Sequence, residues 1–599
     1  MKLSLRAVFL TLMLSFVMML LLATASCGEK NPEVTASDTT ADSGAVTTPG
    51  KDVSDPMPQM LTVFANGKTE YAIVHSESLN SQVFDALGDL RSAFRKKFGK
   101  DIDRKYDRLL NGEQPSDDAK EILIGLTNRA ESGKAYDLLE KEGFLIKAVN
   151  NRIVIVGSGE VMLMKALDYF EKTYIDPADD KLEVPADLNY FCAPSYEGVV
   201  TENSDKSITL DLKEFVVTYD GDNEQVFVPY MAQALGARGK KEIGFFGALE
   251  DQCVNRFEIL FGSCDRTEYT TTDKEFLFRD FYICYNNNKL NVSAFSVYGY
   301  EQAINYLLAT GGKLTIPADG LYVEYDYGND YFGALLKNYE NHSLEGSWMI
   351  NVCHRGDITT NNYPENSLPS YQSCIDNNID VIETDLRKTK DGVWVILHDD
   401  TLDRTTNGSG ILAEMTYEEI QKHFLLTQNG GNGSTLTEYK IPTLEEIIDL
   451  CKGRVLFNLD KLTLSDFQSV YNVFEEKGAV SMAMIKSDSC SAEDISKWFG
   501  KLAKDGRELP LFSPLLYGDP KGASPAFKGL TSMIETGPGH NSELLSFLSD
   551  ECNVRPMCLT ALSPSKENVE TWSLYKENGY LAVMTDEPIK LKEFIHEKN

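Results

Sequence analysis

Histidine is scarce in this chain, seven in 599 residues, and basic residues are outnumbered by acidic ones, 58 to 91. The resulting formal charge of −33 excludes a general affinity for nucleic acid or anionic lipid surfaces, because the summed field repels polyanions. An anionic substrate must then be drawn by local positive charge, a bound cation or an arginine. The eleven cysteines stand singly, with no CxxC pair and no Cys/His cluster, which removes the usual zinc patterns. Apart from Cys27, they are free to pair or to remain buried thiols. Hydrophobic residues make up 42% of the chain, enough to fill ordinary cores. Its length calls for several domains at ~100–200 residues each.

Only one long apolar run occurs, Ala7 to Ala23, preceded by Lys2 and Arg6 and followed by small residues. A short positive segment, an apolar stretch and a small-residue zone describe a secretory signal peptide over residues 1–27. Thr24-Ala25-Ser26-Cys27-Gly28 resembles a bacterial lipobox, which implies lipidation of Cys27 and a protein secreted and held at the extracellular face of a bacterial cell membrane. Residues 28–57 are polar, acidic and nearly free of large apolar groups, so they read as a flexible tether that cannot bury enough surface to order itself.

Between the tether and residue 340 the chain repeats itself. Glu121-Ile122-Leu123-Ile124-Gly125 returns as Glu258-Ile259-Leu260-Phe261-Gly262, and at the same spacing Arg129 maps on Arg266, Glu131 on Glu268, Phe144 on Phe281 and Asn150-Asn151 on Asn287-Asn288. Lys181 to Asp187 then matches Lys313 to Asp319 at a slightly shorter spacing. A constant offset across several elements predicts two tandem α/β domains, 58–200 and 201–340. Each reads strand, helix, strand, hairpin, helix, strand, with the Asn-Asn pair at a tight turn of positive φ. Arg129 and Arg266 read as structural ion-pair partners. Neither copy holds a convergent catalytic set; both loosely resemble accessory α/β modules of carbohydrate-active surface enzymes, a resemblance that implies a wall- or glycan-facing role.

From residue 349 to 599 nine apolar strand-like runs centre near Asn351, Val381, Val395, Leu456, Met482, Leu511, Met533, Met557 and Ala582. Thr389-Lys390-Asp391-Gly392 is far too short for a parallel crossover, so the run ending at His398 must fold back as a hairpin arm. Eight runs remain, alternating with helical stretches, and predict a (β/α)8 barrel. In that fold chemistry gathers at the carboxyl ends of the strands. His354 and Arg355 end the first run, and Glu383 and Asp385 end the second. Residues two apart on a strand share a face, so the two carboxylates repel unless a cation lies between them. An all-oxygen set favours calcium or magnesium. His354 and His398 bracket this pair and suit acid and base roles.

The ordered series Cys353-His354-Arg355-Gly356, Pro364-Glu365-Asn366-Ser367, Glu383-Thr384-Asp385, Thr389-Lys390-Asp391-Gly392, His398-Asp399 and Leu402-Asp403-Arg404-Thr405-Thr406-Asn407-Gly408-Ser409-Gly410 resembles the glycerophosphodiester phosphodiesterase family. The resemblance implies a barrel of the phospholipase-C-like type and metal-dependent hydrolysis of a glycerophosphodiester, small or polymeric, to an alcohol and glycerol 3-phosphate. It implies catalysis by His354 and His398, metal ligation by Glu383 and Asp385, and phosphate binding by Arg355, with Glu365 behind Arg355 or His354. The family's third ligand lies in an Asn-x-Glu-x-Lys context. Here Asn458-Leu459-Asp460-Lys461 puts Asp460 in its place, one methylene shorter, and Lys461 one residue early. Strict strand alternation would turn Lys461 away from the substrate face. Thr585-Asp586-Glu587-Pro588 matches the family's ending and is expected to cap the last helix. Asn429 to Ser434 is expected to be a mobile rim. The alternatives are another phosphodiesterase or phospholipase on the same barrel, or an inactive barrel whose repeats hold glycans.

Overall fold

The computed structural model describes residues 59–597, apart from 80, 110–114, 117, 140–142, 176–179, 194–197, 220–224, 240–245, 249–256, 263–275, 329, 342–348, 517–519, 539, 541, 560–564 and 566. The leader, the tether and Cys27 lie outside the described residues, as do Arg266 and Glu268. The chain divides near residue 195 into two compact units. Among the described residues no helix is long and apolar enough to cross a membrane.

In the first unit, strands β1 (Met60–Phe64), β2 (Ala72–His75), β3 (Asp103–Tyr106), β4 (Glu121–Ile124), β5 (Phe144–Val149), β6 (Arg152–Gly157), β7 (Leu182–Pro185) and β8 (Asn189–Cys192) are joined by helices. Six of them form one sheet in the order β3-β2-β4-β6-β5-β8, while β1 pairs with β7. Arg129, predicted as structural, forks onto the Glu121 carboxylate at 3.0 and 3.2 Å. Arg152 reaches the same carboxylate at 2.9 Å. Both arginines are buried, so the guanidinium groups compensate a carboxylate that burial alone would disfavour.

The second unit opens with β9 (Val200–Glu202), β10 (Ser207–Asp211), β11 (Val216–Tyr219), β12 (Phe246–Ala248), β13 (Glu258–Phe261), β14 (Phe281–Asn286), β15 (Lys289–Ala294), β16 (Lys313–Pro317) and β17 (Leu321–Val323). Its sheet runs β12-β11-β13-β15-β14-β17, and β10 pairs with β16. Strand order, and the parallel or antiparallel sense of each pair, follow those of the first sheet. The hairpin turns carry asparagine in the left-handed region, Asn150 at φ 55°, Asn287 at 48° and Asn288 at 65°, the conformation that a two-residue turn between twisted strands requires.

The barrel follows in the same unit: β18 (Ile350–His354), β19 (Val381–Lys388), β20 (Trp394–Ile396), β21 (Leu456–Asp460), β22 (Ala483–Ser487), β23 (Leu511–Pro514), β24 (Met533–Thr536), β25 (Arg555–Leu559) and β26 (Ala582–Thr585). Eight are parallel in the order β23-β22-β21-β19-β18-β26-β25-β24. A parallel bridge from Leu515 to Glu535 nearly closes the ring between β23 and β24. As the short turn demands, β20 folds back antiparallel on β19, Leu386 opposite Ile396.

Sequence placed a boundary between 340 and 349, but the second sheet and the barrel share one hydrophobic core. Tyr298 donates to the Pro510 carbonyl at 2.7 Å, Val297 N–H to Gly529 at 3.0 Å, and Tyr331 bonds Asp380. These barrel residues all lie ahead of the strands β23, β24 and β19, so the helices Val297–Ala309 and Tyr331–Asn341 meet the barrel at its amino-terminal end. The helix Val228–Arg238 packs on the helix Ala492–Lys504, where a Cβ on Gly500 would stand 2.4 Å from that of Tyr230. The opposite, carboxyl end of the barrel is left to chemistry.

Candidate active site

Register fixes the floor of the site. His354 lies opposite Glu383 across β18 and β19, Asn458 opposite Glu383 and Asp460 opposite Asp385 across β19 and β21. Alternation then turns Glu383, Asp385 and Asp460 toward one cavity, and one oxygen from each lies within 4.8 Å of the others. Glu383 and Asp385 are buried, yet Glu383 Oε2 and Asp385 Oδ1 have no hydrogen-bond partner. Burial, then the neighbouring Asp385 charge, pushes the Glu383 carboxyl up to about 8. Buried carboxylate oxygens are rarely left unpaired. Two such oxygens, on carboxylates that cluster with a third, fit a hard divalent cation bound by oxygen alone.

The remaining oxygen of Asp385 is pinned. Asn366, at φ 53°, donates to Oδ2 at 2.8 Å, and Tyr371 donates to Asn366 at 3.0 Å. Asp460 is held differently: its Oδ1 accepts from the Lys461 backbone at 2.6 Å and its Oδ2 meets Lys486 Nζ at 2.9 Å. Burial opposes ionisation of Asp460, but Lys486 and Lys461 outweigh it and hold the carboxyl well below its ordinary value.

Lys461 departs from the expectation of strict alternation. It stands at φ 66° just beyond the end of β21, and this left-handed turn frees it from the strand's two-residue period. Its ammonium comes to 3.3 Å from Asp460 and 3.7 Å from Asp385, on the same face as the triad.

Each histidine is fixed through Nδ1. His354 Nδ1 meets Asp586 at 2.7 Å, and His398 Nδ1 meets Asp399 at 2.6 Å. Each ring therefore keeps Nε2 for exchange with a ligand. Burial depresses the His354 pKa, but the bond to Asp586 and the Glu383 charge raise it overall. Asp586 is thus a partner of His354, contrary to the capping role expected from sequence. Thr585 Oγ1 accepts from Glu587 N–H at 2.9 Å, in the turn ahead of the last helix.

Arg355 follows β18 at φ 57°, and Gly356 at 88°. A Cβ on Gly356 would meet Ser370 Oγ at 2.4 Å, so only glycine lets this turn lie against its helix. Arg355 Nε stands 3.2 Å from Asp385 without hydrogen-bond alignment, and its Nη1 is 3.4 Å from Glu365. Glu365, expected behind Arg355 or His354, is buried, and both its oxygens are forked by Arg404 at 2.8 and 2.9 Å. The glycine-rich stretch is tied down too: Arg404 donates to the Asn429 carbonyl at 2.6 Å and accepts from Gly431 N–H at 2.7 Å.

Sequence reasoning gave no role to Lys486 or Glu535. Lys486, on β22, is buried among Asp460, Glu535 at 3.3 Å and Glu383 at 3.7 Å. Asn458 donates to the other Glu535 oxygen at 3.2 Å. The signal was present: a lone lysine in Ala-Met-Ile-Lys-Ser and a lone glutamate in Met-Ile-Glu-Thr, each inside a run read as fully buried. Among the described residues eight cysteines are free thiols.

Residues 354–504 match the glycerophosphoryl diester phosphodiesterase family. A glycerophosphodiester phosphodiesterase of Caldanaerobacter subterraneus subsp. tengcongensis is 40% identical over 99 residues, 16% of this chain and 39% of that protein. Another, from Bacillus altitudinis, is 34% identical over 128 residues, 21% of this chain and 48% of that protein. The crystal structure of a glycerophosphoryl diester phosphodiesterase from Parabacteroides distasonis is 26% identical with a TM-score of 0.37, covering 45% of this chain and 93% of that one. The chain spans less than half the length of these two curated relatives. The likeness of this chain is to the glycerophosphoryl diester phosphodiesterase family, and it is carried by residues 354–504.

Proposed function

We propose that the barrel hydrolyses glycerophosphodiesters to an alcohol and glycerol 3-phosphate by two-histidine acid–base catalysis. The observation that carries this reading is the clustered carboxylate triad, in which the buried Glu383 Oε2 and Asp385 Oδ1 lack hydrogen-bond partners, together with two imidazoles each anchored through Nδ1. Glu383, Asp385 and Asp460 would hold a divalent cation, calcium or magnesium, whose positive charge serves the phosphoryl oxygens. Arg355 binds those oxygens from the side, and Lys461 adds a second positive charge at the rim. One histidine accepts through Nε2 the proton of the attacking water, or of a glycerol hydroxyl that closes a cyclic phosphate which water then opens, and the other donates a proton to the departing alcohol. Asp586 and Asp399 keep the rings turned for that exchange. Such positioned transfers contribute ~10²–10⁴-fold each.

The signal-like segment and Cys27 support action at the outer face of a bacterial membrane, on deacylated phospholipids or teichoic-acid-like polymers. The shared strand order of the two sheets, together with the spacing of Glu121 and Glu258, supports their origin as tandem copies. A wall- or glycan-contacting role is proposed for the first. The test is release of glycerol 3-phosphate from a panel of glycerophosphodiesters, with and without chelator, by the parent chain and by His354→Ala and Glu383→Ala. Activity that chelator abolishes and both variants lack is expected; full activity of either variant would sink the reading.

A further inference from the structure

Arg404 lies outside the strands, in the segment after the hairpin, and touches neither the carboxylate triad nor a histidine ring. Its guanidinium nevertheless holds two carboxylates at once. The Nε and Nη2 edge forks onto Asp399 at 2.7 and 2.9 Å, and the Nη1 and Nη2 edge forks onto Glu365 at 2.9 and 2.8 Å. Asp399 is the carboxylate that anchors His398. Glu365 is the one against which Arg355 leans, at a looser 3.4 Å. The arginine hydrogen bond is the chief cause holding Asp399 well below the usual carboxylate range.

We propose that Arg404 is a positioning residue that sets His398 and Arg355 relative to each other, through Asp399 on one side and Glu365 on the other. This rests on the two-histidine reading given above. Two planar forks on one rigid guanidinium fix both carboxylates in one plane, which a lysine cannot do. The second consequence concerns charge. Glu365 is only 2% exposed, and without Arg404 its sole strong counter-charge would be Arg355. The Arg355 side chain would then be drawn back from the phosphoryl oxygens toward Glu365. Arg404 thus has two separable effects, ring orientation on one side and release of Arg355 to the substrate on the other. Arg387 braces the same loop from β19 by donating to the His398 carbonyl at 2.6 Å and pairing with Asp400 at 2.8 Å, so the loop keeps a second anchor when Arg404 is changed.

The separation can be measured with a double-mutant cycle on the full chain, hydrolysing glycerophosphocholine in saturating calcium or magnesium. Arg404→Met should lower kcat by roughly 10²-fold, part of the proton-transfer contribution, and raise KM. In an Asp399→Asn background the kcat effect of Arg404→Met should shrink to within about twofold, while its KM effect persists. In a Glu365→Gln background the KM effect should vanish and the kcat effect persist. A merely structural arginine would lose the same factors in every background, and that result overturns the proposal. Arg404→Lys, which keeps charge and bulk, is the second variant should the methionine fail to fold, and parent-like kinetics for it also overturn the proposal. His398→Ala separates the two readings. If it keeps the parent kcat, the two-histidine reading has failed. If it is inactive while the cycle is additive, only the role of Arg404 has failed.

Discussion

Replacing Lys486 by methionine removes one positive charge from the barrel interior and keeps nearly the same volume. The ammonium sits 2.9 Å from Asp460, 3.3 Å from Glu535 and 3.7 Å from Glu383, with 3% of the side chain exposed. Burial works against its charge, yet Glu535, Glu383 and Asp460 together hold its pKa above the ordinary lysine value. Removing one member of a buried ion cluster costs about 3–5 kcal/mol, because the carboxylates left behind have no water to turn to. The unit that unfolds holds roughly 400 residues, so the entropy of unfolding converts that loss into a fall in Tm of about 4–6 °C. The measurement is thermal unfolding in chelator, repeated with calcium in excess. A divalent cation restores positive charge beside the same carboxylates, so the calcium-induced rise in Tm should be larger for Lys486→Met than for the parent. Lys486→Met/Glu535→Gln removes both charges and should recover most of the lost stability in chelator. An unchanged Tm for Lys486→Met, or an equal calcium shift in both proteins, would refute the account of this lysine as the internal counter-ion of the site.

Because the Glu383 carboxyl is raised to about 8 in the fold, the folded state keeps a proton that the unfolded chain releases above about pH 4.5. Stability in chelator should therefore fall as pH rises from 5 to 8, and cation binding near pH 7 should release a proton. Calorimetry in buffers of different ionisation enthalpy reads that proton, and a buffer-independent binding heat would contradict it. Gly356→Ala should destabilise the chain by roughly 1–3 kcal/mol, since it adds left-handed strain and a contact with Ser370. Denaturant unfolding would show this as a lower midpoint with an unchanged slope.

The hairpin arm was legible because a four-residue turn cannot carry a parallel crossover, and the site's acidic pair was legible because strand alternation is local. The motifs that carry His354 and His398 were legible because each is short and stands at or just after the end of one strand. Partners across the ring were hidden. Asp586 is 232 residues from His354, and the two meet only because β26 pairs with β18. Lys486 and Glu535 belong to β22 and β24, which are not neighbours, and they touch only inside a closed ring. Lys461 was misread for a local reason, since the chain leaves the strand one residue earlier than alternation assumes. The boundary expected between 340 and 349 falls inside one unit whose second sheet and barrel share a hydrophobic core, a continuity that composition does not record.

By itself the sequence determined the alternation of strands and helices, the chemistry gathered at strand ends and the scarcity of global positive charge, because these depend on neighbours along the chain. Tertiary structure decided which carboxylates face a common space, which lysine balances them and which end of the barrel the helices Val297–Ala309 and Tyr331–Asn341 meet. Those are matters of distance between residues far apart in sequence, and only closure of the ring brings them within reach of Coulomb forces and hydrogen bonds.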